Sequence, residues 1–332
     1  MRRLSKKQLE IISRASLDKC RNIGLKHARK NLAYMENTVS KLIGTEPASD
    51  SAIVISAGPS LHRNNSILAI IKAKYKGAII SADGALYHCL RNGLVPDYVV
   101  TVDPHPTRMI RLFGDTNMRR KSEDDYFRRQ DLDPAMNSDE VRRNREIIRM
   151  VNKFGKKIKL IISTSASPAI AKRCLEAGMS LYWWNPIYDD YNAPGSLTRK
   201  IYEFTKAPCL STGGNVGACG WVFSKAILGI PHTALVGMDL SYHPDTPIFR
   251  TQYYHELRDI FGDDLEQGYI KVYNPYLKQT WYTDPAYYWY RESFLKMSRK
   301  ALGKTYNCTE GGILFGRGIL FTDLSDFLKK FK

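Results

Sequence analysis

The sequence predicts an α/β fold in which a mostly parallel sheet is flanked by helices. Short apolar segments rich in β-branched residues recur along the chain, as is typical of strands that are covered on both faces. Each segment is followed by a polar or glycine-containing turn and then by a stretch of helical composition, the alternation that parallel sheets show. The chain of 332 residues, 43% of them hydrophobic, is large enough to bury such a core. Together these observations favour a Rossmann-like sheet.

The apolar segments and the helical stretches between them set the order of the predicted elements. The predicted strands cover residues 52–56, 78–82, 97–102, 159–163, 180–184, 208–211 and 233–237. The predicted helices cover residues 65–74, 85–92, 167–177, 197–205 and 217–228. Open parallel sheets bind their ligands beyond the carboxyl ends of the strands. We therefore expect the functional residues in the turns that follow the strands.

Three parts of the chain lie outside this alternation and suggest a domain plan. Residues 1–48 are predicted to be a helical lead-in, and residues 49–242 form the predicted Rossmann-like core. Within that core, residues 104–157 are a charged insertion, dense in arginine and aspartate, which is expected to be helical and to act as a lid or contact surface. Residues 243–332 are predicted to be an aromatic-rich α/β extension that packs on the core, with a hairpin at 269–282. Its aromatic side chains are expected mainly in packing, the alternative being stacking on a sugar or base.

Basic residues outnumber acidic ones by 50 to 33, which gives a net charge of +17. The excess lies in residues 1–50, 104–159 and 291–332, whereas the βα core is close to neutral. Such charge suits an acidic partner, namely a nucleotide, a nucleic acid, an anionic membrane surface or an acidic protein, and solvated surface charge is an equal alternative. Because the candidate loops are not themselves basic, nucleic acid is not the favoured partner.

Two further features concern the cellular compartment. No apolar run approaches the roughly 18 residues of a membrane span, and no hydrophobic signal segment follows Met1, so we expect no transmembrane segment. The six cysteines contain no C-x-x-C pair, which argues against a zinc ribbon and against a disulfide framework. These observations predict a cytoplasmic protein.

Two glycine-containing turns are candidate phosphate-binding loops. Residues 57–61 (Ala-Gly-Pro-Ser-Leu) follow the first strand, and residues 211–217 (Ser-Thr-Gly-Gly-Asn-Val-Gly) precede a predicted helix. Glycine lets a phosphate approach the backbone, and serine adds a hydroxyl beside the free N–H groups of a helix start. Neither loop matches the P-loop or the G-x-G-x-x-G fingerprint, so a tight strand-to-helix turn is the alternative in each case.

Polar residues gather at the other strand ends as well. Asp83 and Asp103 come directly after a predicted strand, and Asp239 is the second residue after one. At such a position an aspartate can bind ribose hydroxyls, hold Mg²⁺, act as a base or cap a helix. Ser165 follows the fourth strand, and His105 lies between two prolines behind Asp103. The stiff backbone around His105 makes it a candidate general base, although exposed turn histidines are common.

The strand-end motifs resemble, in this order and spacing, the MptE-like domain family. The resemblance rests on Gly-Pro-Ser-Leu at 58–61, Ile-Ser-Ala-Asp-Gly-Ala at 80–85 and Pro-Asp-Tyr-Val-Val-Thr-Val-Asp at 96–103. The family includes archaeal 6-hydroxymethylpterin diphosphokinases and the motility accessory factors, called Maf, which are thought to glycosylate flagellin with nonulosonic acids. The Maf branch is also similar at 212–217, 236–241 and 307–312. The neutral glycine loop and the Val-Asp-Pro-His sequence at 102–105 favour that branch.

The resemblance implies a nucleotide-dependent transferase. On the Maf side it implies transfer of a nonulosonic, sialic-acid-like sugar from a CMP donor to a hydroxyl acceptor, with no cofactor required and with Asp103 or His105 as the catalytic base. The candidate acceptors are hydroxyl groups of a surface filament or of another protein. The first alternative is an MptE-like diphosphokinase that transfers pyrophosphate from ATP to a pterin, with Mg²⁺ held by Asp103 and Asp83. The second alternative is a basic nucleic-acid-binding protein without catalysis. The residues implied to bind the nucleotide or donor are Gly58, Pro59, Ser60, Leu61, Asp83, Gly84, Ser165, Thr212, Gly213, Gly214, Asn215, Gly217 and Asp239.

Overall fold

The computed structural model describes residues 4–9, 18–44, 50–105, 107–118 and 134–331. The strands are β1 Ser51–Ile55, β2 Ala78–Ala82, β3 Tyr98–Thr101, β4 Lys159–Ser163, β5 Ser180–Pro186, β6 Cys209–Leu210, β7 His232–Val236, β8 Ile270–Asn274, β9 Gln279–Thr283, β10 Lys304–Asn307 and β11 Leu320–Phe321. The helices are α1 Asp18–Asn31, α2 Pro59–Arg63, α3 Ser66–Lys72, α4 Asp83–Arg91, α5 Pro134–Phe154, α6 Pro168–Glu176, α7 Leu197–Thr205, α8 Val216–Ala226, α9 Tyr254–Phe261, α10 Pro285–Ser298 and α11 Leu324–Lys330.

Among the strands in these residues, nine form a parallel sheet flanked by helices, so the predicted α/β, Rossmann-like fold is confirmed. Each predicted strand is present, with its ends shifted by two residues at most. β8 and β9 make a separate antiparallel hairpin, as the sequence of the extension predicts. The sequence did not predict β10, which pairs in parallel with β7, or β11, which pairs in parallel with β10.

The chain divides into two compact units. The first contains Met1–Lys19, Glu46–Ile79 and Gly213–Lys332, and the second contains Cys20–Thr45 and Ile80–Thr212. Within the sheet, the strands of the first unit have the order β11-β10-β7-β1, and those of the second have the order β3-β4-β5-β6. The boundary between the units falls inside β2. The predicted domain boundaries at residues 48 and 242 stay a prediction.

Burial of both sheet faces organises the first unit. Every residue of β1 is buried, and β7 is buried from its second residue onward. Parallel strands that are covered on both sides need such continuous apolar runs. The C-terminal part of this unit adds an aromatic cluster in which Tyr242 and Tyr269 pack with Leu257. The extension therefore supplies both sheet strands and a small core of its own.

The core of the second unit lies around β4 and β5, where Leu160, Ile162 and Trp183 are buried. α1 is fastened to the end of β4 by Asn31, whose Nδ2 donates to the carbonyl oxygens of Thr164 and Ala166 at 2.8 Å each. The two bonds fix the turn in which Ser165 lies.

The predicted charged insertion contains a short 3₁₀ helix, Met109–Phe113, and the long helix α5. Arg142 and Arg143 are exposed on α5. The basic runs predicted at 119–121 and 128–129 lie outside the described residues, as does part of the N-terminal lead-in, residues 10–17. The role of the insertion as a lid or contact surface stays a prediction.

Among the helices that the structure describes, none combines the length and the apolar character that a membrane span requires.

Candidate functional site

The first unit brings two predicted strand ends side by side. β1 and β7 are parallel neighbours, with Ile55 opposite Val236, so the segments that follow them leave the sheet together. Ser56 N–H donates to the Val236 carbonyl and Gly58 N–H donates to the Gly237 carbonyl, each at 2.8 Å. The loop at 57–61 and the loop that carries Asp239 are therefore one structural element.

Ser60 is bound to Asp239. Its hydroxyl donates to Oδ2 of the carboxyl group at 2.7 Å, and its backbone N–H lies 3.3 Å from Oδ1. The Asp239 side chain is buried, and this burial raises its pKa to about 7, although the two donors of Ser60 oppose the shift. A Cβ atom on Gly58 would overlap the Asp239 carboxyl group. Gly58 and Ser60 thus accommodate an acidic side chain of the protein itself.

The other two residues of this motif are also accounted for by packing. Pro59 is the first residue of the five-residue helix α2 and has no N–H to offer an anion. Leu61 is completely buried. Binding of a phosphate by residues 58–61 stays a prediction, and the geometry gives each of them a structural role.

The late motif at 307–312 closes over the same carboxyl group. A Cβ atom on Gly311 would lie 2.8 Å from Asp239 Oδ1, and Gly312, with a left-handed φ of 75°, lies against the Asp239 backbone. Thr309 Oγ1 accepts a hydrogen bond from the Met238 N–H at 3.1 Å. These contacts explain why glycines follow β10, a strand that the sequence did not predict.

The second glycine loop leads into α8. Gly213 and Gly214 both have left-handed backbone conformations, with φ of 57° and 91°. Asn215 caps α8 by accepting the Ala218 N–H on its Oδ1 at 2.9 Å. The predicted turn before this helix is therefore a capped helix N-terminus.

Two buried polar groups lie at this N-terminus. Ser56 Oγ is next to Gly217, where an added Cβ atom would overlap it, and only 8% of Ser56 is exposed. Within the described residues, neither Ser56 Oγ nor Asn215 Nδ2 has a hydrogen-bond partner. Buried polar groups are normally paired, so these two can serve a ligand. Ser56 was not predicted as a site residue; its position between β1 and the Gly-Pro-Ser-Leu motif was the available signal.

Aromatic side chains of α10 pack on the glycine loop. A Cβ atom on Gly214 would lie 2.6 Å from the Trp289 ring and would overlap Tyr290, and one on Gly213 would lie 2.5 Å from Met297. Tyr290 is buried, whereas Trp289 is 38% exposed. The expectation of packing holds for Tyr290, but the Trp289 ring is exposed beside the loop.

The second unit holds the other predicted acidic residues. Asp83 is buried at the start of α4, where its carboxyl group accepts the Thr101 hydroxyl at 2.8 Å and the Gly84 N–H at 2.7 Å. Burial raises the pKa of Asp83 to about 7, and the nearby negative charge of Asp103 adds to the increase. Asp103 itself is exposed and accepts the His105 N–H at 2.8 Å. The structure thus brings Asp83, Gly84 and Asp103 together.

His105 uses one ring nitrogen in its own turn. Its Nδ1 accepts from the backbone N–H of Thr107 at 3.3 Å and from that of Arg108 at 3.1 Å. Since Nδ1 supplies its lone pair, the proton of a neutral ring is on Nε2. This tautomer can donate a proton and is poorly suited to accept one, which weakens His105 as the predicted base.

Ser165 and Thr212 are the remaining predicted residues of the second unit. Ser165 is buried, and its Oγ has no hydrogen-bond partner among the residues described. Its carbonyl is 3.2 Å from Nδ1 of His27, which therefore carries the proton of that ring. Thr212 follows β6 and is half-buried.

Comparison with known families adds an independent observation. Residues 26–119 match the model of a family described as 6-hydroxymethylpterin diphosphokinase MptE-like. The predicted resemblance is confirmed over this segment. The MptE-like segment contains Ser56, residues 58–61, Asp83, Asp103 and His105.

Among solved structures, the chain is similar to one described as a MAf glycosyltransferase from Magnetospirillum magneticum AMB-1. The likeness has a TM-score of 0.51 at 15% sequence identity and covers 87% of this chain. It covers 38% of the other chain, so this chain spans well under half the length of that protein. No curated protein matches the chain. The likeness shows a shared fold.

Proposed function

We propose that this protein is a nucleotide-dependent transferase, and that it transfers a nonulosonic sugar from a CMP donor to a hydroxyl acceptor without a cofactor, as a Maf-like glycosyltransferase. The MptE-like match over residues 26–119 and the fold shared with a Maf glycosyltransferase support a transferase. The nature of the sugar donor follows from the resemblance at 212–217, 236–241 and 307–312.

The observation that carries the proposal is the N-terminus of α8. The positive end of a helix dipole and the first N–H groups of a helix favour an anion. Here a buried hydroxyl, Ser56 Oγ, and a buried amide, Asn215 Nδ2, lie at that end without a partner among the described residues. An anion with several acceptor oxygens, such as the phosphate of a nucleotide, would satisfy both groups.

This arrangement would also assist the reaction. When the bond between the sugar and CMP breaks, negative charge increases on the phosphate and positive charge develops on the sugar ring. Fixed donors at a helix N-terminus stabilise such a leaving group without reorganising. The acceptor hydroxyl loses its proton to a base. The resemblance implies Asp103 or His105 as that base, and His105 is the weaker candidate because its Nδ1 lone pair is engaged.

A thermal-shift panel tests the proposal. Purified protein is heated with CMP, CTP, ATP, UDP or GDP, with and without Mg²⁺, because a ligand of the folded state raises the unfolding temperature. We expect CMP and CTP to stabilise the wild type without Mg²⁺, and we expect Ser56→Ala to lose most of that shift. No shift with any nucleotide would overturn the proposal and would favour the nucleic-acid-binding alternative.

A second candidate function is the MptE-like diphosphokinase. The Asp83 and Asp103 carboxyl groups are close enough that the charge of one raises the pKa of the other, and both lie in the MptE-like segment. Hard oxygen ligands of this kind suit Mg²⁺. These two residues would hold the ion, which would offset the charge of the ATP phosphates. Stabilisation by ATP that requires Mg²⁺, and that disappears in Asp103→Asn, would favour this function over sugar transfer.

A further inference from the structure

Trp289 is a large aromatic side chain that the first unit leaves exposed beside the glycine loop. It is 38% exposed, while its neighbours on α10, Tyr288 and Tyr290, are each 8% exposed. Its ring touches the loop itself, because a Cβ atom on Gly214 would lie 2.6 Å from it. Burial in the core therefore does not account for a tryptophan at this position.

The ring is held by a well-anchored helix. α10 begins with Asp284 as its N-cap, whose carboxyl oxygen accepts the Tyr287 N–H at 2.8 Å. Tyr290 supports the indole from the side, with 5.7 Å between ring centroids and an interplanar angle of 65°. Because Trp289 is placed by packing and by a cap, it needs little ordering when a flat ligand stacks on it.

The loop connects this ring to the anion site. Gly214 touches Trp289, and Gly217, three residues further, touches Ser56 Oγ. Three residues span about 10 Å of chain at most, which is comparable with the length of one extended nucleotide. A phosphate at the α8 N-terminus would leave the attached base near the indole.

We propose that Trp289 is the platform on which the base of the bound nucleotide stacks while its phosphate is held at Ser56 and the N-terminus of α8. The inference rests on the proposed function and names the residue that distinguishes a nucleotide from a simple phosphate. Stacking of a base on an aromatic ring is worth about 1–3 kcal/mol, which corresponds to roughly 5- to 150-fold in affinity.

Calorimetric titrations with two probes test this role. CMP carries a base and a phosphate, whereas inorganic pyrophosphate carries only the anion. We expect Trp289→Ala to weaken CMP binding about 10-fold or more and to leave pyrophosphate binding unchanged. Trp289→Phe retains a ring and should retain most of the CMP affinity. Ser56→Ala should weaken binding of both probes.

Tyr273→Ala is the matched control, since Tyr273 is an exposed aromatic residue of the same unit, 58% exposed on the β8–β9 hairpin. It should change neither affinity. CMP binding that is unchanged in a folded Trp289→Ala variant would overturn the stacking role alone. An equal loss of affinity for CMP and for pyrophosphate in Trp289→Ala would also overturn the stacking role. Trp289 would then support the glycine loop rather than bind the base. A wild type that binds neither CMP nor ATP would overturn the proposed function as well. If the wild type binds only ATP, the same titrations with ATP in place of CMP decide the stacking role of Trp289.

Discussion

The two glycine loops of the first unit look alike in the sequence and differ in the folded chain. In the loop at 58–61, both donors of Ser60 are directed to Asp239, and Gly58 makes room for that carboxyl group. In the loop at 213–217, Gly217 makes room for the Ser56 hydroxyl, which lacks a partner among the described residues. The first loop binds a carboxyl group of the protein itself, and the second leaves donors for an anion from outside.

The difference teaches that a glycine next to a serine at a strand end does not identify a phosphate site. What decides is whether another part of the chain already satisfies the donors. Asp239 reaches Ser60 across 179 residues of sequence. If the comparison is right, changes in the first loop should affect stability, and changes in the second should affect ligand affinity.

The largest expected effect is a loss of stability in Gly58→Ala. The new Cβ atom would overlap both the Asp239 carboxyl group and the Gly237 carbonyl, and neither can move freely because both residues are buried. We expect the free energy of unfolding to fall by about 3 kcal/mol, the upper range for overpacking, in urea titrations. Gly217→Ala should cost less stability, since the short Ser56 side chain can rotate away from the new Cβ atom. It should abolish CMP binding, because that Cβ atom displaces the Ser56 hydroxyl that is proposed to bind the phosphate.

Gly229→Ala serves as the control for the cost of backbone strain alone. Gly229 has a left-handed φ of 65°, and an added Cβ atom would meet no atom within 4 Å. We expect a loss of about 1 kcal/mol and unchanged CMP affinity. The comparison of the loops would be contradicted if Gly58→Ala were no more costly than Gly229→Ala.

The next effect concerns pH. Burial raises the pKa of Asp239 from its usual 3.8 to about 7, so the folded state binds more protons than the unfolded state between these values. Its contribution to the free energy of unfolding therefore falls as pH rises through that window and is most favourable below about pH 4. Between pH 5 and pH 8 the wild type should lose about 3 kcal/mol more than Asp239→Asn does, since the group titrates over about two pH units at about 1.4 kcal/mol each. Equal pH slopes for the two proteins would show that Asp239 does not titrate in this way.

The smallest effect separates the two serines. Ser56→Ala should weaken CMP binding about 10-fold, in line with about 1.4 kcal/mol for a hydrogen bond to a charged group. It should not lower stability, because the hydroxyl that it removes is buried and has no partner among the described residues. Ser60→Ala should lower stability by about 1 kcal/mol, since Asp239 loses its shorter donor, and should leave CMP affinity unchanged. Urea titration and calorimetry of both variants check the pair; the reverse outcome would exchange the roles of the loops.

Local patterns in the sequence were sufficient for most of the fold. The apolar runs of β1, β2 and β4 specify buried parallel strands, and each was predicted within a residue. β10 and β11 were missed because β10 (Lys-Thr-Tyr-Asn) is not an apolar run and β11 has only two residues. The place of β10 in the sheet depends on pairing with β7, and that of β11 depends on pairing with β10; no local pattern encodes either pairing.

The candidate site was predictable only in part, for a related reason. Glycine, hydroxyl and aspartate residues at strand ends could be recognised one by one, and the structure does group Asp83 with Asp103 and Ser60 with Asp239. Their hydrogen-bond partners come from distant segments and could not be predicted. The exposure of Trp289 could not be predicted either, since it depends on how α10 packs against the glycine loop.

A crystal structure of the protein with bound CMP tests the central claim most directly. We predict phosphate oxygens within about 3.2 Å of Ser56 Oγ, the range of a hydrogen bond, with the phosphate at the N-terminus of α8 and Asp239 still bound to Ser60. A phosphate that displaces Asp239 from Ser60 and leaves Ser56 without a contact would contradict the account.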